Sequence, residues 1–479
     1  MAVALSLTVI NVARLTGFAS TAFFSVDECW HALVTRIMAA SGGLVTTTTE
    51  IMRDPYHLDY PPLFHAIGAA LYNLFGPSAW FYLNIAIGAT LLGFIVLGRN
   101  ALVGPVERSA LALALLATPL FAMYSLRFYV EMLTAALFCV SWWRLALVLQ
   151  HAARRDAIVS GAATGLLVWT KQTGLLILAV YLVVWCWVLA VGPTPKRRAM
   201  TWLVGIAGLF SVTYLGVMWI RGENPLLFLM PTRHAEVWAS AMDAAQVPYG
   251  IFFDTIRATW GLVPMVLLAV PVALLVIRGR RNYPYLIHLS LLAALILVFL
   301  VDRRLVERHT LFLLPLIAFL GVDALSRFGR PVLLSGAAVI ALFATVHVVT
   351  MPNYRINFNP SRNFAEMLRV IASTTDPNAT VVTEWWAEVR YHTGRQVLWP
   401  MPNLDDPPVD LFNASTADQW HERLRDRQID YLLIDARYVS EEVGIGYSRP
   451  LLSLIPPLLA EGRLQLVAER GPLSLFRVS

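Results

Sequence analysis

Nine stretches of roughly twenty apolar residues dominate the chain, at about 79–98, 109–125, 131–149, 173–191, 201–220, 257–277, 284–301, 309–326 and 331–350. A bilayer core takes about 20 residues of helix, and backbone groups there are satisfied only by helices or closed barrels. Two shorter runs, at about 1–16 and 157–171, also qualify if the helices tilt. The expected fold is therefore mainly α, a polytopic membrane bundle of about eleven spans. Apolar residues make up 57% and charged residues 14%, against about 25% charged in soluble proteins. That balance excludes a soluble enzyme, a disordered chain and a fibrous repeat. Three cysteines cannot build a disulfide framework; Cys139 and Cys186 fall in apolar runs, and Cys29 reads as exposed.

The net charge of +6 follows topology and does not point to nucleic acid. Alternate connections hold Arg99, Arg108, Arg154, Arg155, Lys196, Arg197, Arg198, Arg278, Arg280, Arg281, Arg327 and Arg330, with only Glu107 and Asp156 as acids. Excess arginine and lysine mark the cytoplasmic side. The other connections, about 25–60, 126–131, 221–256 and 302–308, carry twelve acids and eight cations and are expected outside. An N-terminus inside and an odd span number leave 351–479 outside as well. Residues 61–76 are apolar but short, and a span there would invert everything downstream. They read as a helix lying at the outer surface. Arg14 interrupts the first span and faces either the protein interior or the outer head groups.

The expected domains are 1–350, transmembrane with a long first outer loop at 25–78, and 351–479, a small extracytoplasmic α/β domain. That tail holds 16 of the 31 acids. Asn359-Pro360 is expected to open a helix through Ser373, and Ser415 to cap one running to about Arg427. Strands are expected at 380–385, 396–399, 429–434, 464–468 and 473–478.

Charges at membrane depth are costly and are functional candidates by default. Asp27-Glu28 follow the first span directly; they are either a solvated boundary or part of a site. The loop after them is long for a simple connection, carries Asp54, His57 and Asp59, and runs into Tyr60-Pro61-Pro62-Leu63. Arg127 and Glu131 have the spacing of one helix face, hence an intrahelical ion pair; alternatively Glu131 faces Asp27 across a cavity. Lys171 is one of two lysines against 35 arginines. It either snorkels to the interface or is a cation held below the surface for an anionic head group. Asp302, Arg303, Arg304, Glu307 and Arg308 form another charged turn. His57, His65, His234 and His309 lack metal-ligand spacing.

Together these residues resemble a family. Arg14-Leu15, Asp27-Glu28, Tyr60-Pro61-Pro62-Leu63-Phe64 and Gly76 look like the first outer loop of the GT-C glycosyltransferases. The branch is that of dolichyl-phosphate-mannose–protein mannosyltransferase-like and aminoarabinose-transferase-like enzymes. Ala117-Thr118-Pro119 with Arg127 through Glu131 resembles the second outer loop. Gly161 through Gly174, with Thr170-Lys171-Gln172, resembles a Gly-rich helix ending in lysine. Arg308 through Pro315 resembles a late motif, and Tyr391-His392-Thr393-Gly394-Arg395 a segment of the C-terminal domain. The chain departs from the family at Glu131, often aspartate, at His309, usually tyrosine, and at Tyr60, commonly lysine in the aminoarabinose branch.

The resemblance implies an inverting transfer of a sugar from a polyprenyl-phosphate donor to a hydroxyl of an envelope acceptor on the outer face. Asp27 is then expected to take the acceptor proton, and Lys171, with Arg127 and Arg308, to meet the departing phosphate. Glu28 and Glu131 would orient those cations or hold a divalent metal. Tyr60, Pro61, Pro62 and His57 would form a substrate loop. A divalent metal is left open as cofactor, with Asp27 and Glu131 as candidate ligands. The expected partners are the lipid-linked donor, membrane lipids and the acceptor. The competing function is a multi-span transporter or flippase, against which stands the lack of matching broken helices in two halves.

Overall fold

The computed structural model describes residues 1–19, 26–42, 61–98, 102–171, 173–220, 256–278, 288, 291–296, 307–350, 362–398, 414–436 and 449–479. His57, Tyr60, Asp54, Asp59, His234, Asp302, Arg303, Arg304, Gln172 and the Asn359-Pro360 pair lie outside them. The chain divides into two compact units. One comprises Met1–Ala22, Tyr60–Pro225 and Val247–Ile356; the other comprises Phe23–Asp59, Leu226–Gln246 and Asn357–Ser479.

The first unit is helical. Its described helices are α1 (Ala2–Ala19), then, after α2 (Val26–Ser41) of the second unit, α3 (Leu63–Phe75), α4 (Ala79–Leu97), α5 (Pro105–Leu116), α6 (Pro119–Leu126), α7 (Glu131–His151), α8 (Arg154–Val168), α9 (Thr173–Val191), α10 (Thr194–Ile220), α11 (Leu262–Arg278), α12 (Leu314–Phe328) and α13 (Arg330–Thr350). Six are long and apolar enough to cross a membrane among the described residues, or seven if α5 and α6 form one span. Those two helices are bent by 67° within what reads in sequence as a single apolar run. The residue before a proline is pushed out of helical conformation, and Thr118, before Pro119, is extended at ψ 114. Helix α3 has 13 residues and ends at Gly76 with φ 76. At 1.5 Å per residue it is about 20 Å long, short of a bilayer core. Most of the expected run 284–301 lies outside the described residues.

Arg14 faces protein. Its guanidinium donates to the carbonyls of Val348 and Val349, both at 2.6 Å, at the C-terminal end of α13. The final carbonyls of a helix have no intrahelical partner, and a cation there also complements the helix dipole.

The second unit is an α/β structure. Helix α14 (Arg362–Thr374) precedes β1 (Thr380–Val382), α15 (Trp386–Thr393), β2 (Gln396–Leu398), α16 (Ala417–Asp426), β3 (Tyr431–Asp435), α17 (Ile455–Ala460), β4 (Leu464–Arg470) and β5 (Leu473–Val478). The sheet order is β2-β1-β3-β5-β4. β1 pairs in parallel with both β2 and β3, while β5 is antiparallel to β3 and β4. The central strand β3 is buried along its whole length, as expected of a strand covered on both faces. Gly471 supplies the positive φ of 59 that a two-residue hairpin turn before Pro472 requires. The cap of α16 is Thr416, not Ser415. Thr416 accepts from the Gln419 N–H at 3.2 Å, and the Gln419 side chain accepts from the Ser415 N–H at 2.9 Å. This reciprocal pairing is a capping box displaced by one residue.

The Tyr391–Arg395 motif proves to be a staple. Buried Arg395 donates to Thr375 Oγ1 and to the carbonyls of Thr393, Ala372 and Thr375, all at 2.8–2.9 Å. Gly394, at φ 71, lets the chain leave α15 toward it.

Candidate active site

In the first unit the site begins with the break between α8 and α9. A Cβ on Gly174 would lie 2.4 Å from the backbone of Leu167 and Val168, so only glycine lets α9 start against the last turn of α8. Gly161 and Gly165 likewise admit Leu203 and Phe210 of α10. Lys171 sits in that break. Its N–H donates to Leu167 O at 2.9 Å, and its carbonyl accepts from the Gly174 N–H at 2.8 Å. The lysine does not reach outward: it is 7% exposed, and its Nζ donates to Glu131 Oε1 at 2.8 Å.

Glu131 opens α7 and is 2% exposed. It shares no helix with Arg127, which caps α6 in extended conformation at φ −101, ψ 147; the expected one-face geometry is therefore lost. Among the described residues Arg308 also approaches it, with Nε 3.7 Å from Glu131 Oε1. Tyr129 joins the group. Arg308 lies 5.4 Å and Arg127 5.7 Å from the centre of its ring, within cation–π range. The side-chain amide of Asn84 donates to the carbonyls of Arg127 and Tyr129 and fixes the turn that carries them. Among the described residues Lys171, Arg308 and Arg127 thus gather around Glu131 and Tyr129 in a largely buried setting. Pro61 and Pro62 are buried. The N–H of Leu63 that follows donates to Trp169 O at 2.8 Å, two residues before Lys171.

In the second unit, Asp27 and Glu28 belong to the first turn of a helix rather than to an open loop. A helix N-terminus favours the carboxylate form. Glu28 is 4% exposed, and Cys29 is fully buried, contrary to its exposed reading; Cys186 is the exposed cysteine. Burial pushes the Cys29 thiol up, and the Glu388 and Glu28 charges add to that. Glu388 of α15, 2% exposed, joins this acidic group. Burial raises its carboxyl well above the usual range, with Asp27 and Glu28 raising it further. Nothing in the sequence singled out Glu388: a buried acid has no local signature. Tyr129, between two arginines, was equally silent.

Among the described residues no group of three His, Cys, Asp or Glu side chains is placed to hold a metal. Glu131 Oε1 already accepts from the Lys171 ammonium, whose charge opposes a second cation.

No protein-family model matches the chain, and no curated protein matches its sequence. Solved structures do match. An oligosaccharyltransferase of Archaeoglobus fulgidus superposes with a TM-score of 0.62 at 12% identity, covering 91% of this chain and 68% of its own. ArnT of Cupriavidus metallidurans, solved with undecaprenyl phosphate, gives 0.52 at 16% identity over 98% and 97%. The arabinofuranosyltransferase AftD from Mycobacteria gives 0.53 at 17% identity over 99% and 40%. The chain has the fold of GT-C glycosyltransferases, as its motifs implied.

Proposed function

We propose that the chain is an inverting glycosyltransferase that moves a sugar from a polyprenyl-phosphate donor to a hydroxyl of an envelope acceptor. The observation that carries this reading is the partly buried cation group of Lys171, Arg308 and Arg127 around Glu131 and Tyr129. Positive charge fixed in place before reaction stabilises charge that grows on a leaving group. Two of the structural neighbours support the nature of that group: ArnT was solved with undecaprenyl phosphate, and the archaeal enzyme with a dolichol-phosphate.

In this mechanism the acceptor oxygen attacks the anomeric carbon while the carbon–oxygen bond to the phosphate breaks. The proton passes to Asp27, and the departing polyprenyl phosphate is met by Lys171, Arg127 and Arg308. Glu131 orients Lys171; Glu28 supports Asp27. Inversion follows because attack and departure occur on opposite faces of the sugar. Tyr60, Pro61, Pro62 and His57 form the substrate loop. The eleven-span topology, with N-terminus inside and the C-terminal α/β domain 351–479 outside, puts the acceptor hydroxyl and the lipid-linked sugar on the same side.

The test is incubation of the purified full-length protein with radiolabelled polyprenyl-phosphate sugars and crude envelope acceptors. Label should move to an acceptor and polyprenyl phosphate should accumulate. Binding of the donors without transfer, together with donor movement across vesicle bilayers, would establish a flippase instead.

A further inference from the structure

Four cations of the first unit take no part in the proposed reaction. Arg154 and Arg155 open α8, and Lys196 and Arg198 lie near the start of α10. The two helices run side by side in the same direction. A Cβ on Gly161 would lie 2.5 Å from Leu203 O, and one on Gly165 2.3 Å from the Phe210 side chain. Further along, Trp169 Nε1 donates to Phe210 O at 2.9 Å. Successive residues of α8 thus meet successive residues of α10, and the two starts share one level. Arg154 joins them, its guanidinium carbon 4.1 Å from the centre of the Trp202 ring.

Neighbouring arginines are engaged by the fold. Arg144 pairs with Asp156 at 2.7 Å, and Arg197 donates to Gly192 O, just past the end of α9, at 2.7 Å. Among the described residues, by contrast, Arg155, Lys196 and Arg198 make no ion pair and no side-chain hydrogen bond. Arg154, Arg155 and Arg198 are exposed, and Lys196 is half-buried. The sequence of this unit outside the described residues adds three acids against seven arginines, so it brings no surplus of negative charge. Helix stability does not account for the four cations either, because positive charge near a helix start opposes the dipole.

The surface beside the cations says what would cover them. Helix α10 is long and apolar enough to cross a membrane. Arg198, Trp202, Leu209 and Val212 recur at helical spacing and so fall on one stripe. Below the arginine that stripe is apolar and open: Trp202 is 44% exposed, Leu209 61% and Val212 66%. Between Trp202 and Leu209 stands Gly205, where a Cβ would meet nothing within 4 Å, so the stripe carries a shallow groove. An indole between a cation and an apolar face marks the head-group level of a bilayer. A phospholipid meets both parts at once, phosphate on the cations and an acyl chain along the stripe. We propose that Arg154, Arg155, Lys196 and Arg198 form a seat for the head group of an anionic phospholipid. The proposal needs nothing from the transferase reading.

Lys196 reports on the patch directly, because the only other lysine, Lys171, is buried. The full-length protein in neutral detergent is acetylated with a water-soluble amine reagent while lipid is added. Modification of Lys196 is read by mass spectrometry of its peptide. Phosphatidylglycerol should slow the acetylation by about tenfold or more, and phosphatidylcholine with the same acyl chains should leave the rate unchanged. Equal slowing by both lipids overturns recognition of the charge. Equal slowing by inorganic phosphate at the same concentration overturns the lipid as its source. In Arg155→Gln/Arg198→Gln, which keeps Lys196 and the Arg154–Trp202 contact, half-protection should need about 25-fold more phosphatidylglycerol, about fivefold for each cation removed. An unchanged requirement means that the head group is held elsewhere and refutes the seat. Should that variant fail to fold, the wild-type comparison decides by itself.

Discussion

Glu131 and Glu388 are equally hidden, each 2% exposed, and each has one oxygen without a hydrogen-bond donor among the described residues. Their electrical company is opposite. Glu131 lies 2.8 Å from a lysine and 3.7 Å from an arginine; Glu388 is grouped with Asp27 and Glu28. A carboxylate buried beside cations keeps its charge, and one buried beside acids is driven to keep its proton. The same side chain thus pairs with cations in one unit and lies among acids in the other. Residue type alone does not tell which.

The largest expected effect separates the chemistry of one unit from the binding of the other. Asp27→Asn cannot accept a proton, so transfer should fall by about 10²–10⁴-fold, the usual worth of general base catalysis. Donor binding, measured by equilibrium partition of labelled lipid, should hardly change. Normal transfer would remove Asp27 from the mechanism.

The next effect breaks the counter-ion side. Lys171→Met strands Glu131 and should lower stability by about 3–5 kcal/mol, read as the thermal unfolding midpoint in detergent. Donor binding should be lost with it. Adding Glu131→Gln should restore much of the stability but not the binding, and Lys171→Arg should retain part of both, since the charge stays while its geometry changes. Full donor binding in the Lys171→Met/Glu131→Gln protein would refute the phosphate assignment.

On the acid side the sign reverses. The folded-state pKa of Glu388 lies above its usual value of 4.5, so the folded chain binds more protons than the unfolded one above that pH. The stability linked to this group is complete below about pH 4.5 and declines as pH rises toward the folded value, by at most about 1.4 kcal/mol per pH unit. Glu388→Gln should flatten that decline and stabilise the second unit at neutral pH. A destabilised variant with an unchanged pH slope would mean that Glu388 is ionised in the fold. The smallest effect is a control. Thr416→Ala removes a helix cap and should cost about 1 kcal/mol in the same unfolding assay without altering transfer.

Much of this fold was legible in the chain. Bilayer thickness forces apolar runs of a fixed length, and the observed Ala79–Leu97, Thr173–Val191 and Arg330–Thr350 helices fall within a residue or so of those runs. The five strands of the second unit appear where short apolar runs meet turn residues. Lys171 stood out because lysine is rare here. Its pairing with Glu131 was not legible, because the two are 40 residues apart and only the packing of α8 on α7 brings them together. The Arg127–Glu131 spacing misled for a local reason: helix periodicity applies only within one helix, and the chain is extended at Arg127. Cys29 misled because exposure is set by what covers a residue, and the chain that covers it is remote in sequence.

The Arg14 clasp has a consequence for biogenesis. The cation is synthesised well before the carbonyls it binds, at Val348 and Val349, which are 334 and 335 residues further on. At about 5–20 residues per second, tens of seconds pass before its acceptors exist. Until then a guanidinium within an apolar helix has head groups or water to satisfy it. Helix α1 is therefore expected to rest shallowly in the membrane during synthesis and to settle only when α13 arrives, so a segment made early would be among the last to lock.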